Sequence, residues 1–461
     1  MEAIDPAADL MNRQGEQISE PTPRGPRGWP VFGHVGPYLC DKLGFLENAA
    51  REYGEVVELD LGPRTFLLSN AADLQHILQT YPERYQKGSM RMSEAGRRLA
   101  GRGLLTSAGR EHLDRKRILQ PLFTQTTSAH FGAVVTDLAA RRAAGWGEGA
   151  RVDIEVEMLK LTQDVSGLAL LGQDYLTDAP GFEAAIQSWR RYLQYWFDYP
   201  VPFRERLPLP VVWRHRKARR LIHETLTRHL QKRRQAGGDD LLTMLMQLSD
   251  GGAAALTDEQ IIDEAHTIAL TAYDTVAEAL TWTWYLLGQH PEAESLVLDE
   301  LRERIGDRRV TAEDYSKLPY LRRVIAESLR LYPPSWLFTR VAVQDDQLPS
   351  GAKISAGVTL FMSPWVLHRR EIYFPEPMRF DPNRFTEQAE ASRLPFSYLP
   401  FGGGRHVCIG QILARLECVL VLATILPTHR LELAGDSRIV PHPRMTLRPR
   451  HGLSMHVRRR G

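Results

Sequence analysis

Apolar positions recur at helical spacing along most of this chain, and only short stretches alternate as strands do. Residues 43–53 repeat on one helical face and stop at Gly54, a helix end marked by glycine. Residues 56–62 and 65–69 alternate on either side of a Gly-Pro turn and predict a hairpin. From about residue 110 to 234 the helical period returns, punctuated by proline and glycine. Thr257-Asp258-Glu259-Gln260 has the form of a capping box, in which the outer two side chains satisfy backbone N–H groups reciprocally. The helix it opens meets no proline until Pro291, so roughly thirty residues at 1.5 Å each make about 45 Å. Globular helices average about 11–12 residues, so this one is expected to cross the whole molecule. A further helix opens near Pro319 and stops at Tyr332-Pro333-Pro334. Strand signals at 352–354 and 358–361 precede a proline-rich meander that leads to Cys408. The expected fold class is mainly α with small β-sheets.

A length of 461 residues would suit two or three domains, but no Ser/Gly-rich linker or charge block divides the middle. A single domain over residues 21–461 is therefore expected, behind a polar, flexible N-terminus of residues 1–20. The formal net charge of +2 argues against nucleic-acid binding driven by overall charge. Cys40, Cys408 and Cys418 are too few and too scattered for a disulfide framework, which fits a reducing cytoplasm. The chain has no signal-peptide core and no apolar run of about 20 residues that could span a bilayer, so a cytoplasmic protein without a membrane anchor is expected.

Three side-chain groups carry candidate chemistry. The first is Phe401-Gly402-Gly403-Gly404-Arg405-His406-Val407-Cys408-Ile409-Gly410, a glycine-loosened loop that runs into an apolar helix. Glycines let the backbone approach a flat partner, and a helix N-terminus behind the sulfur favours its thiolate. A lone cysteine beside a turn can also be a packed core thiol; the ten-position pattern argues for a ligand. The second group is Asp274-Thr275 within the long helix. Both side chains compete with the helix for backbone hydrogen bonds, so their presence suggests use. Together they suit proton delivery, the hydroxyl holding a water and the carboxylate resupplying protons from solvent. The third is Glu327 and Arg330, which share one helical face three residues apart.

With Phe380-Asp381-Pro382-Asn383-Arg384-Phe385 downstream, these groups resemble the motifs of the cytochrome P450 family, in order and spacing, over nearly the whole chain. His406 stands where many members carry arginine. The resemblance implies a haem b between the long central helix and the cysteine loop, with Cys408 as axial iron ligand. Phe401, Gly402 and Gly410 would contact the cofactor, and His112, Lys116, Arg340 and His406 would hold its propionates. Asp274 and Thr275 would serve oxygen activation, and Glu327, Arg330 and Arg384 a buried structural clamp. The substrate pocket would include Trp196, Thr271, Ala272, Val276, Ser335 and Trp336. Tyr273 could narrow that pocket or pack outward. The implied activity inserts one atom of O2 into a small lipophilic molecule, terpenoid or fatty-acid-like, by hydroxylation or epoxidation. Electrons from NAD(P)H would arrive through a ferredoxin and its reductase, because no flavin or iron–sulfur module follows in the chain. Arg110, Arg115, Arg117 and Arg405 could form the basic face for an acidic ferredoxin. A monomer is expected. The alternatives are a peroxide-dependent oxygenase and a non-catalytic haem- or ligand-binding protein of the same fold.

Overall fold

The computed structural model describes residues 24–30, 33–88, 97, 101–172, 175, 180–198, 209–250, 256–435 and 439–460, apart from the side chains of 125–129, 196–198 and 250. The expected flexible N-terminus and the Trp196 side chain lie outside the described residues. Helix α1 (Lys42–Tyr53) begins where the Asp41 side chain accepts from the Gly44 N–H, and it ends at Gly54, whose φ of +99° an L side chain resists. The predicted hairpin forms from β1 (Val56–Asp60) and β2 (Arg64–Leu68), paired antiparallel from Val56↔Leu68 to Asp60↔Arg64. Strand β3 (Tyr85–Lys87) follows, then helices α2 (Gly109–Leu119) and α3 (Gln125–Ala144). Strand β4 (Arg151–Asp153) leads into α4 (Ile154–Leu171), and α5 (Phe182–Asp198) and α6 (Pro210–Ala236) come next.

The capping box forms as expected. Gln260 N–H donates to Thr257 Oγ1 at 3.3 Å and Thr257 N–H donates back to Gln260 Oε1 at 2.9 Å. The helix it opens is not continuous, which corrects the expectation of one unbroken rod. It divides into α7 (Asp258–Thr271) and α8 (Asp274–Gln289), and the regular ladder lapses at Ala272-Tyr273. Three hydroxyls on its approach compete for carbonyls one turn back: Thr267 on Asp263, Thr271 on Thr267 at 2.8 Å and Thr275 on Thr271 at 3.4 Å. Back-bonding of this kind bends helices. The Tyr273 carbonyl also accepts from Thr162 Oγ1 of α4 at 3.0 Å, which draws the lapse toward a neighbouring helix.

After α9 (Pro319–Leu331), strands β5 (Phe338–Ala342) and β6 (Thr359–Met362) complete a five-stranded sheet of order β1-β2-β6-β5-β3. Helix α10 (Gln411–Ile425) follows the cysteine loop, and strands β7 (His429–Leu433), β8 (Leu447–Pro449) and β9 (Ser454–Arg459) close the chain. Two cores form on either side of the helix break. The larger joins α3, α4, α8, α9 and α10; the second joins α4, α5, α6 and α7. Every residue of α8 from Val276 to Leu287 is buried, the signature of a helix wrapped on all sides by protein. Trp282 stacks on Tyr332 at 4.1 Å and donates its indole N–H to the Leu447 carbonyl, tying α8 to β8. No helix among the described residues is long and apolar enough to cross a membrane.

Candidate active site

The cysteine loop is held by its own backbone and by the elements around it. Cys408 N–H donates to the Phe401 carbonyl at 3.0 Å, closing the loop. Gly402 and Gly404 take left-handed φ values of +70° and +62°. The close approach that Gly404 permits is to the Leu78 carbonyl of the protein, not to a planar ligand. Gly410 caps α10 at an ordinary φ of −84°, and a Cβ there would meet only the Phe123 ring at van der Waals distance. Phe401 packs under the Arg415 guanidinium, 5.0 Å from its ring centre. The Cys408 side chain is open, yet burial pushes its thiol up, against the opposing pull of the Gly410 N–H and Lys116. The N–H at the helix N-terminus pulls toward the thiolate, as expected, but burial outweighs it; a coordinating metal would complete the deprotonation.

Lys116 was expected at an anionic group. Its ammonium instead donates to the Arg405 and Val407 carbonyls at 3.0 and 3.1 Å, pinning α2 to the cysteine loop. The other three expected residues converge. The His112 and His406 rings lie 4.3 Å apart between centres, and Arg340 is buried close by on β5. Lys87, which sequence reasoning missed, completes the group. It sits directly opposite Arg340 in the β3–β5 register, and its ammonium lies 3.3 Å from His112 Nδ1 while it donates to the Leu104, Leu105 and Ser107 carbonyls. Like charges face to face in a sheet repel, so the pocket is strongly positive. Burial, reinforced by these cations, holds His112 down to about 4 and lowers His406 further. His112 Nε2 and His406 Nδ1 are buried without a hydrogen-bond partner among the described residues.

The three residues expected in a clamp come together, with Arg384 the loosest. Arg330 grips Glu327 in bidentate fashion at 2.6 and 2.8 Å, and both side chains are wholly buried. Arg384 Nε approaches Glu327 at 3.5 Å without forming a hydrogen bond, and the Asp381 N–H donates to the same carboxylate. His368, unforeseen in the sequence, transmits the clamp to the cysteine loop. Its Nε2 accepts from the Leu399 N–H at 2.9 Å, which places the ring proton on Nδ1, 3.3 Å from the Arg330 carbonyl. Burial keeps this imidazole neutral.

Across the helix break, Thr271 is exposed and Ala272 and Thr275 are half-open, although the helix runs through the protein interior. These three residues share one face. Tyr273 turns the other way, into a small hollow lined by Gly167, Phe182, Ile186 and others, so it packs outward. Asp274 was expected to draw protons from solvent. It is 2% exposed and lies between Arg190 of α5 at 2.8 Å, Thr446 Oγ1 at 3.1 Å and Arg448 of β8 at 3.2 Å. Any proton reaching it must pass through that ionic cluster. Of the expected substrate contacts, Val276 is packed in the main core. Trp336 is packed beside the sheet with its indole N–H on the Arg444 carbonyl. Ser335 is exposed. In the expected basic face, Arg115 is buried on Glu264 at 2.6 Å, which leaves Arg110, Arg117 and Arg405 exposed.

The sequence matches the family model described as cytochrome P450 over residues 23–456. It is 31% identical to cyclooctatin synthase of Streptomyces melanosporofaciens, covering 92% of each chain. Pentalenene oxygenase of Streptomyces avermitilis is 28% identical, covering 91% of this chain and 95% of that one. Among solved structures, retinoic acid-bound cyanobacterial CYP120A1 superposes with a TM-score of 0.85 at 25% identity, covering 96% of this chain and all of that one. The chain belongs to the cytochrome P450 family. It is a cytochrome P450 monooxygenase, and membership implies haem iron, O2, reducing equivalents from a redox partner and a lipophilic substrate. The residues present fit a haem. The Cys408 thiol is accessible at the head of α10, and two orphaned imidazole nitrogens beside buried cations suit acidic groups.

Proposed function

We propose that this monooxygenase hydroxylates or epoxidises a terpenoid or fatty-acid-like substrate, with electrons from NAD(P)H supplied through a separate ferredoxin and its reductase. One catalytic domain over residues 21–461 would carry the activity. The terpenoid reading is supported by relatives named cyclooctat-9-en-7-ol 5-monooxygenase and pentalenene oxygenase. Haem b, when bound, supplies the dioxygen chemistry. Cys408 would ligate its iron, and His112, His406, Arg340 and Lys87 would receive its propionates, with Phe401, Gly402 and Gly410 beside the macrocycle. Lys116 would hold the loop that presents the sulfur.

The observation that carries the reading is the lapse in the long helix, where Thr275 opens to the interior and Asp274 sits directly behind it. There the Thr275 hydroxyl would orient a water toward the reacting oxygen. Asp274, ion-paired with Arg190 and Arg448, would receive and pass on the proton. Thr271 and Ala272 on the same open face would border the substrate. Terpenes, fatty acids, steroids and macrolides screened by substrate-induced spectral shift would test the substrate class. The expected result is a response to terpenes or fatty acids, with turnover that requires reductase, ferredoxin and NAD(P)H. Turnover with hydrogen peroxide alone would contradict the electron route.

A further inference from the structure

Helix α8 carries a second acid one turn beyond Asp274. Glu278 is 0% exposed and points at the same guanidinium that holds Asp274, with its Oε1 3.2 Å from Arg448 Nη2. Neither of its oxygens has a hydrogen-bond partner among the described residues. Nη2 carries two hydrogens, and its hydrogen bonds go to Asp274 (3.2 Å to Oδ1) and Thr446 Oγ1 (3.1 Å). Nη1 donates to Glu155 of α4 at 3.3 Å. Arg190 donates to Asp274. Three carboxyl groups thus share two guanidiniums, one negative charge too many if all three ionise. Glu278 is the one whose oxygens take no hydrogen bond among the described residues, although Arg448 Nε and Arg190 Nε are also without partners there.

We propose that Glu278 is a positioning residue for oxygen activation, carried as an uncharged acid so that Arg448 stays committed to Asp274 and Glu155. This rests on the proton-delivery reading of Asp274 and Thr275. The charged and titratable groups that face Glu278 are Arg448 of β8, Glu155 of α4, Arg190 of α5 and Asp274 of its own helix. Helices α3, α9 and α10 add apolar side chains to the same core. Burial first, then the two neighbouring carboxylates, drive its carboxyl well above the usual range, and the attraction of Arg448 only partly opposes them. Once deprotonated, Glu278 would become a third anionic claimant on Arg448 and loosen the grip on Asp274.

The sign of the linkage is definite. An acid whose folded-state affinity for the proton is raised supports stability fully below its unfolded pKa of about 4.3, and that support is lost as pH rises toward the folded value. Thermal unfolding of the haem-loaded parent, Glu278→Gln and Glu278→Met should therefore be compared from pH 4 to 9. The expected result is that both variants gain on the parent as pH rises above about 4.3, reaching a lead of several degrees near pH 8. Product formed per NADH consumed should decline at alkaline pH in the parent and stay level in Glu278→Gln. A Glu278→Gln protein that is less stable than the parent at neutral pH, with the deficit closing on acidification, would mean an ionised, paired Glu278 and overturn the proposal. Parallel coupling profiles for parent and Glu278→Gln would overturn it equally. The stability comparison needs no turnover, so it stands even if Thr275 and Asp274 prove to have no part in proton delivery.

Discussion

At Gly404 a Cβ would fall inside the Leu78 carbonyl oxygen, and the backbone there already holds a φ of +62°. Gly404→Ala must therefore shift the cysteine loop or its neighbour, at about 1–3 kcal/mol for the backbone conformation alone. The measurable outcome is a lower thermal midpoint with partial loss of bound haem. Gly402→Ala, where the nearest non-neighbouring atom is 3.9 Å from the added carbon, should be milder because it meets only the φ penalty. Thr275 makes a different kind of prediction. Its hydroxyl has only a long contact to the Thr271 carbonyl, so Thr275→Ala should leave folding and the carbon monoxide spectrum intact. It should lower product per NADH and raise peroxide release. Unchanged coupling in that variant would remove Thr275 from proton delivery.

Most helices and strands were legible from periodicity and caps. The helix ending at Gly54, the hairpin register and the Thr257 capping box all reflect forces acting within a few residues. The break at Ala272-Tyr273 was not legible as a break, because its hydroxyls look like ordinary helix residues until Thr162 and the arginines arrive from distant segments. The Glu327–Arg330 pair was readable from its spacing, whereas His368, which links the pair to Leu399, has no local signal. Arg330→Ala would leave Glu327 buried with only the Asp381 N–H and the more distant Arg384. Breaking a buried pair costs about 3–5 kcal/mol, so this variant should lose haem and melt far below the parent. Wild-type haem content in Arg330→Ala would show that the clamp does not support the cysteine loop.

Assembly across the molecule decides which legible residues become a site. Lys87, Arg340, His112 and His406 come from four separate segments, and nothing in the spacing of Lys87 announces that it faces Arg340. Conversely, Trp336 and Val276 read as pocket residues only while the packing that absorbs them, beside the sheet and in the larger core, is unknown. On the outer side of the cysteine loop, Arg110, Arg117 and Arg405 remain exposed near the point where Lys116 joins α2 to the loop. Reversing these three charges to glutamate should weaken binding of an acidic ferredoxin, most of all at low salt, and leave the carbon monoxide spectrum untouched. Equal ferredoxin affinity in the triple variant at low ionic strength would place the partner elsewhere. The most direct test of the whole account is the carbon monoxide difference spectrum of the reduced, purified protein beside that of Cys408→Ser. The account predicts a thiolate-type band in the parent that is absent from the variant. A parent without haem, or a thiolate-type band that survives in Cys408→Ser, would contradict it.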